Sequence, residues 1–265
     1  MAVTTLVLAR TNAVREFLDA GRTFIRLPES SRLAREVSEG FARFIDTVPP
    51  ALRREWTFNV PGNEDPDGKP DDGYLERHGE RKVNGGRFDD KFIFHFRPRL
   101  WNLLREREVY PCGWMFDWLE AYDALWNLCY RAADSLLAEL DREMAGYDLL
   151  TRFRAASELH VIRTLLYSER GVEDPLVVGK AHTDRNLLTL QVAESRPGLR
   201  IYPKGSDSSG LAIPYEAEPD FVLAFPGQKF EALVGPDKVQ AIWHDIVNAD
   251  PVAPKRSSVI FFAHV

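Results

Sequence analysis

Cysteine is scarce in this sequence: Cys112 and Cys129 are the only two in 265 residues. Two thiols make no disulfide framework, and they do not stand in a Cys-x-x-Cys metal spacing. A reducing, cytoplasmic setting is the simplest expectation. Long apolar runs are absent as well. No stretch approaches the roughly eighteen to twenty apolar residues a membrane span requires, and the first ten residues carry neither the basic region nor the apolar core of a secretory signal. Positive charge is not in excess. The net charge is −6, with arginines scattered among acids and no basic stripe, which argues against a nucleic-acid partner. No internal repeat or low-complexity tract is evident.

What is present is an ordinary globular composition, 45% apolar and 28% charged. The length suffices for one large domain with a substantial core, or for two small ones. Residues 4–9 form a short β-type run. Asn12 is placed to cap a helix over 13–20 that Gly21 stops. Residues 23–27 read as a strand closed by Pro28. Ser30 or Ser31 is placed to cap a longer amphipathic helix, with Leu33, Val37, Phe41 and Phe44 on one stripe and Pro49 and Pro50 at its end.

Residues 59–86 are rich in Pro, Gly, Asp and Asn and read as turns and loop. A segment of that length in a compact domain tends to be a lid or binding loop, or else disordered. In residues 89–97, Lys91, Ile93 and His95 alternate against Phe92, Phe94 and Phe96, as in a strand. From 114 to 144, Trp118, Tyr122, Leu125, Leu128 and Cys129 fall at helical spacing, a core helix with no chemistry. After Gly146 the chain is β-rich, with candidate strands at 158–167, 187–192, 199–202, 221–225, 241–247 and 257–265. Gly and Pro turns between them suggest a sandwich or barrel.

The candidate chemistry concentrates in residues 180–190, Lys-Ala-His-Thr-Asp-Arg-Asn-Leu-Leu-Thr-Leu. His182 and Asp184 are two apart, and residues i and i+2 of a strand project to one face. One further imidazole would complete a 2-His-1-carboxylate facial triad, which leaves metal positions open for oxygen and substrates. By itself His-x-Asp is more often a surface pair or a hydrogen-bonded core pair. About sixty residues on, His244 stands in an aromatic and β-branched run, and about a dozen further Arg256 and Ser258 are again two apart.

In order and spacing, His182-x-Asp184, His244 and Arg256-x-Ser258 resemble the 2-oxoglutarate- and iron(II)-dependent oxygenases of the isopenicillin N synthase-like type. That resemblance implies an α+β fold: a double-stranded β-helix, or jelly roll, with flanking N-terminal and central helices. It implies a single oxygenase domain over 1–265. An N-terminal helix and strand region would occupy 1–111, with the loop at 59–86 on the substrate side, and the jelly-roll core carrying the iron would occupy 146–265. Iron(II) would sit on His182, Asp184 and His244. The far carboxylate of 2-oxoglutarate would be held by the bidentate fork of Arg256, with a hydrogen bond from Ser258, and dioxygen would be the oxidant.

Tyr167 occupies the place of the tyrosine in the family's Asn-x-Tyr pair. Leu165 stands where the asparagine would be, which removes one co-substrate contact; a core aromatic is the other reading of Tyr167. Arg87, Lys91, His95 and Arg163 would line the substrate side, and their charge hints at a small molecule bearing a carboxylate. For Lys91 and His95 a core strand with one polar edge fits equally well. His78, His160 and His264 read as loop, structural or solvated residues. The intact Asp184 points to hydroxylation, desaturation or cyclisation of an unactivated C–H bond, with 2-oxoglutarate decarboxylated to succinate. Many relatives continue with a C-terminal helix over the site, so closure here is expected from elsewhere, such as residues 59–86.

Three other readings use the same residues. An iron oxidase on the same scaffold would need no 2-oxoglutarate, and Arg256 with Ser258 argues against it. A zinc hydrolase could use two His and one Asp, but no further Glu or Asp is obviously placed as its base. A binding module without catalysis sits poorly with a complete triad.

Overall fold

The computed structural model describes residues 12–59, 71–75, 91–109, 111, 113–167, 177–207, 210–216, 218–247 and 255–265. The expected first helix is α1 (Ala13–Ala20), and Gly21 ends it in a left-handed conformation, φ 70°. Asn12 makes no side-chain cap. After β1 (Thr23–Arg26), α2 (Ser30–Thr47) buries Leu33, Val37, Phe41 and Phe44 as its periodicity requires. The serines do not cap it. The Ser31 hydroxyl instead accepts from the Asp220 amide at 2.7 Å, while the Asp220 carboxylate accepts from the Ser31 amide at 3.1 Å. This exchange ties the start of α2 to a distant turn.

A short α3 (Pro50–Arg53) and β2 (Thr57–Phe58) follow. Within the segment expected to be loop throughout, residues Asp72–Leu75 form a strand, β3. The Asp-Gly pair reads as a turn, but Asp72 is fully buried as the counter-ion of Arg97 and Arg99, and Gly73 has φ 75°. Tertiary ion pairing overrides the local preference. A closing role for the rest of 59–86 lies outside the described residues.

β4 (Lys91–Phe96) leads to α4 (Leu100–Glu106), the long α5 (Trp114–Glu143) and α6 (Leu149–Ala155). The remaining strands are β5 (Val161–Tyr167), β6 (Val177–His182), β7 (Leu188–Glu194), β8 (Leu199–Ile201), β9 (Ile213–Pro214), β10 (Phe221–Pro226), β11 (His244–Val247) and β12 (Arg256–Ala263). Helix α7 (Gln228–Val234), not expected from the sequence, lies between β10 and β11.

Among the described residues all strand pairings are antiparallel and form two sheets. The larger runs β1-β10-β7-β12-β5-β4-β3-β2 and the smaller β6-β11-β8-β9. Four of the eight larger-sheet strands therefore come from residues before 112. One face of this sheet packs on α2 and α5, with Phe94, Ile162, Leu166 and Phe261 against Phe41, Trp118 and Leu125. The other face, with Ile93, Leu165 and Tyr167, packs with Leu199, Ile201 and Ile246 of the smaller sheet. Among the described residues no helix is long and apolar enough to cross a membrane.

Helices α2 and α5 approach closely at Gly40, where an added Cβ would lie 2.1 Å from Trp118 Cδ1. The indole is pinned by its 3.0 Å hydrogen bond to the Val37 carbonyl. Gly40→Ala is therefore expected to lower stability by about 1–3 kcal/mol through overpacking, despite alanine's better helix propensity. Urea unfolding measures it; a variant as stable as the parent would show that Trp118 yields freely.

Candidate metal centre

The two histidines meet because they face each other across a strand pair. β6 ends at His182, β11 begins at His244, and the two are register partners. Their rings are 4.3 Å apart, centre to centre. Asp184 joins them by a different route from the one expected. It is not on the strand with His182 but in the turn beyond it. That turn is held by the Gln228 amide, which donates to the Asp184 carbonyl at 2.7 Å. It also requires Gly227, where a Cβ would come 2.3 Å from the Asn186 carbonyl oxygen.

The turn brings one carboxylate oxygen of Asp184 3.8 Å from Nε2 of both His182 and His244. All three ligand atoms lie within 4.8 Å of one another. The second oxygen of Asp184 accepts from the Thr189 hydroxyl at 2.6 Å, and Asn186 donates to Thr189 at 2.9 Å. Each imidazole has Nδ1 against a backbone carbonyl: Lys180 at 2.7 Å for His182, Ile242 at 3.1 Å for His244. A carbonyl can only accept, so Nδ1 carries the hydrogen and each Nε2 presents its lone pair to the common space. Desolvation and then the neighbouring His244 push the pKa of His182 down, which favours the neutral, ligating form. His244 is buried and His182 half exposed. The donor set suits a divalent metal with open positions.

Arg256 lies on the inner face of the larger sheet, opposite Tyr167 in register, with its guanidinium 5.2 Å from the Tyr167 ring centre. The side chain is 5% exposed, yet Nε and Nη1 have no hydrogen-bond partner. Nη2 makes a close contact with Glu194. A buried guanidinium with idle donors is a site for an anion. The backbone at Gly198 presses against it, since a Cβ there would be 2.8 Å from Nε. Ser258 accepts from Gln191 at 3.0 Å. Tyr215, buried between the sheets, has a hydroxyl without a partner.

Thr189, Gln191, Glu194 and Tyr215 were not singled out from the sequence. For Thr189 and Gln191 the signal was available: two polar residues alternating with Leu188, Leu190 and Val192 on a buried strand. Glu194 and Tyr215 carried no comparable local mark.

The residues expected on the substrate side differ in their surroundings. Arg163 is half-buried, with its guanidinium 4.7 Å from the Phe262 ring centre. Lys91 Nζ is 5.9 Å from the Tyr167 ring centre. His95 is buried with both nitrogens engaged: Nδ1 donates to the Asp71 carbonyl at 2.7 Å and Nε2 accepts from Arg163 Nε at 2.7 Å. Its position is that of a support for Arg163. Arg87 and His78 lie outside the described residues. His160 is a buried structural residue, donating from Nε2 to the Phe153 carbonyl at 3.0 Å and accepting at Nδ1 from the His264 amide at 3.1 Å.

No protein-family sequence model and no curated protein sequence matches the chain. Solved structures do. The Arabidopsis thaliana dioxygenase for auxin oxidation 1, as its 2-oxoglutarate complex, superposes with a TM-score of 0.68 at 16% identity, over 96% of this chain and 86% of that one. A full-length Neurospora crassa protein in complex with alpha-KG and thymine gives 0.70 at 16%, over 95% and 78%. A Caulobacter crescentus protein named for the 2OG-Fe(II) oxygenase family gives 0.66 at 20%, over 95% and 80%. The chain has the fold of these 2-oxoglutarate/Fe(II) oxygenases.

Asp184→Ala is expected to abolish binding of Fe(II) or Mn(II). Thr189→Val, which frees the second carboxylate oxygen, should weaken it by about 10–100-fold; anaerobic calorimetry reads both. A Thr189→Val protein with parental affinity would remove the hydroxyl from the site.

Acid stability follows from the two buried histidines. Burial, then the Arg163 charge, holds His95 down at about 4, and burial, then His264, holds His160 at about 3. The unfolded chain takes up protons below about pH 6.5 that the native protein refuses. Stability should therefore fall on acidification by roughly 1.4 kcal/mol per pH unit per histidine, continuing until about pH 4. Denaturation midpoints that stay flat between about pH 6.5 and pH 4.5 would contradict the neutral, buried assignment.

Proposed function

We propose that the chain is a 2-oxoglutarate- and iron(II)-dependent oxygenase acting on a C–H bond of a small molecule, on a double-stranded β-helix scaffold. The observation that carries this reading is the coexistence, between the two sheets, of a His-Asp-His set and a buried arginine with idle donors. A hydrolytic metal site has no use for the second feature. A keto-diacid needs both, one end for the metal and the other for the guanidinium. The fold likeness to proteins solved with 2-oxoglutarate supports the same assignment.

His182, Asp184 and His244 would hold iron(II), and 2-oxoglutarate would reach from the metal to Arg256. The bound metal with 2-oxoglutarate and dioxygen supplies the oxidising power, leaving succinate and carbon dioxide. The protein's own residues do the positioning. Thr189 and the two backbone carbonyls orient the ligands, which fixes the direction of the open coordination positions. Arg256 takes the far carboxylate of the co-substrate through Nε or Nη1, and the Tyr215 hydroxyl is a further donor on that side. Leu199, Ile201, Phe225 and Ile246 keep water from the space between. Ser258 stands beside Arg256 with Gln191 orienting its hydroxyl, and the Tyr167 ring supports the guanidinium face. The carboxylate at 184 favours hydroxylation, desaturation or cyclisation.

For the substrate, Lys91 and Arg163 share the inner face of the larger sheet with Tyr167 and favour an anionic, carboxylate-bearing molecule. Arg163 is oriented by His95, whose other ring nitrogen is held by the Asp71 carbonyl.

Succinate formation from 2-oxoglutarate, dependent on added Fe(II), tests the reaction class. Binding of Fe(II) without any binding of 2-oxoglutarate would end the reading. Arg256→Lys loses the planar fork and should raise the KM for 2-oxoglutarate by about 10–100-fold, equivalent to roughly 1.5–3 kcal/mol, with metal affinity intact. An unchanged KM would remove Arg256 from the co-substrate site.

A further inference from the structure

Glu194 is the buried group that this mechanism leaves unused. It closes β7, opposite Ser258, and its side chain is 2% exposed. Its two oxygens accept from the amides of Gly198 and Leu199, each at 3.2 Å, and from Arg256 Nη2. Three donors around one carboxyl describe an ionised carboxylate. Arg256 and Glu194 thus form a neutral buried pair before any ligand arrives.

The shape of guanidinium makes this consequential. Nη2 belongs to both two-pronged edges of the group, one shared with Nε and one with Nη1. Glu194 therefore leaves one edge open, and Nε and Nη1 are the atoms without partners. Docking the far carboxylate of 2-oxoglutarate on that edge puts two carboxylates on one buried cation. Carboxylates crowded this way share a proton, as the second charge has no counter-ion.

Resting on the proposed reaction class, we propose that Glu194 is a second co-substrate-binding residue. As the far carboxylate docks on Arg256, one proton passes from solvent to Glu194, and the resulting carboxyl donates its O–H to the incoming carboxylate.

The surroundings favour this. Arg256 is the charge that pulls the Glu194 carboxyl down; Lys91, on the same face with its ammonium 5.9 Å from the Tyr167 ring centre, acts on His182. Burial already pushes the Glu194 carboxyl up from the usual carboxylate range, against the pull of Arg256 and the two amides. Tyr215 is pushed up by burial and then by Glu194 itself, so it stays a neutral phenol. Tyr167 covers the guanidinium face.

The test is calorimetric titration of the Mn(II)-loaded protein with 2-oxoglutarate, in buffers of differing ionisation enthalpy. Uptake of about one proton is expected, with Kd rising by up to about tenfold per pH unit above neutrality. Pyruvate, which has the keto acid end but no far carboxylate, should bind without proton uptake. Glu194→Gln should abolish the uptake and bind 2-oxoglutarate more tightly than the parent at about pH 8, whereas loss of a merely structural tie would weaken it. Should that variant fail to fold, the parent's contrast between 2-oxoglutarate and pyruvate decides alone. Binding of 2-oxoglutarate with no proton uptake and a pH-independent Kd overturns the role of Glu194 and leaves the reaction class standing. Binding of Mn(II) but not 2-oxoglutarate at any pH overturns the reaction class and this role with it.

Discussion

The register of β11 between its two neighbours is the constraint on which the rest of this site depends. A slip of one residue would send the His244 imidazole to the opposite face of the sheet. Two kinds of interaction prevent it. On one face Ile246 packs with Leu199 and Ile201 between the sheets. On the other, Asp245 meets its register partner Arg200 through two contacts of 2.8 and 2.5 Å, and accepts from the Tyr202 hydroxyl at 3.0 Å. The apolar residue and the ion pair require opposite faces, so only one register satisfies both. On its other edge β11 pairs with β6 through an irregular register, with His244 opposite His182 and Ile246 opposite Gly179.

The larger sheet divides its two faces by chemistry. The face toward α2 and α5 is apolar and aromatic and contributes most of the core. The face toward the smaller sheet carries Thr189, Gln191, Glu194, Arg256 and Ser258 among apolar residues. Most of these polar groups are hydrogen-bonded to one another, as burial demands. The atoms left over on this face belong to Arg256 and Tyr215. Elsewhere in the sheet Asp72 pairs with Arg97 and Arg99, which stitches β3 to the end of β4. Leaving buried donors idle, as on Arg256, costs about 1–3 kcal/mol each.

Much of this was legible in the chain itself. The helices α1, α2 and α5 follow from glycine and proline stops and from apolar spacing near 3.6 residues, which local physics determines. Six of the strands after Gly146 came out within a few residues because β-branched and aromatic runs bounded by turns have few alternatives, whereas β6, which ends at His182, and the two-residue β9 were not among the candidates. His182, Asp184 and His244 were found, and the structure brings them together. The i, i+2 reasoning for the first two was nonetheless wrong in its geometry, because Asp184 reaches the site from a turn held by Gly227 and Gln228. β3 was missed because an Asp-Gly pair signals a turn until a buried arginine claims the aspartate. Helix α7, seven residues long, carries too short a pattern to register.

By itself the sequence determined which residue types were available and in what order: two imidazoles and a carboxylate for a metal, and an arginine and a serine about a dozen residues beyond the second imidazole. Periodicity assigned most of them to strands. Only the tertiary structure decided which atoms face the common space, which imidazole nitrogen is free, and that Glu194 and Tyr215 share the arginine's surroundings. The reason is physical. Side-chain periodicity is a local property of the backbone, whereas the pairing of a buried charge depends on which strand lies alongside, and no local pattern in β7 encodes its neighbour in β12.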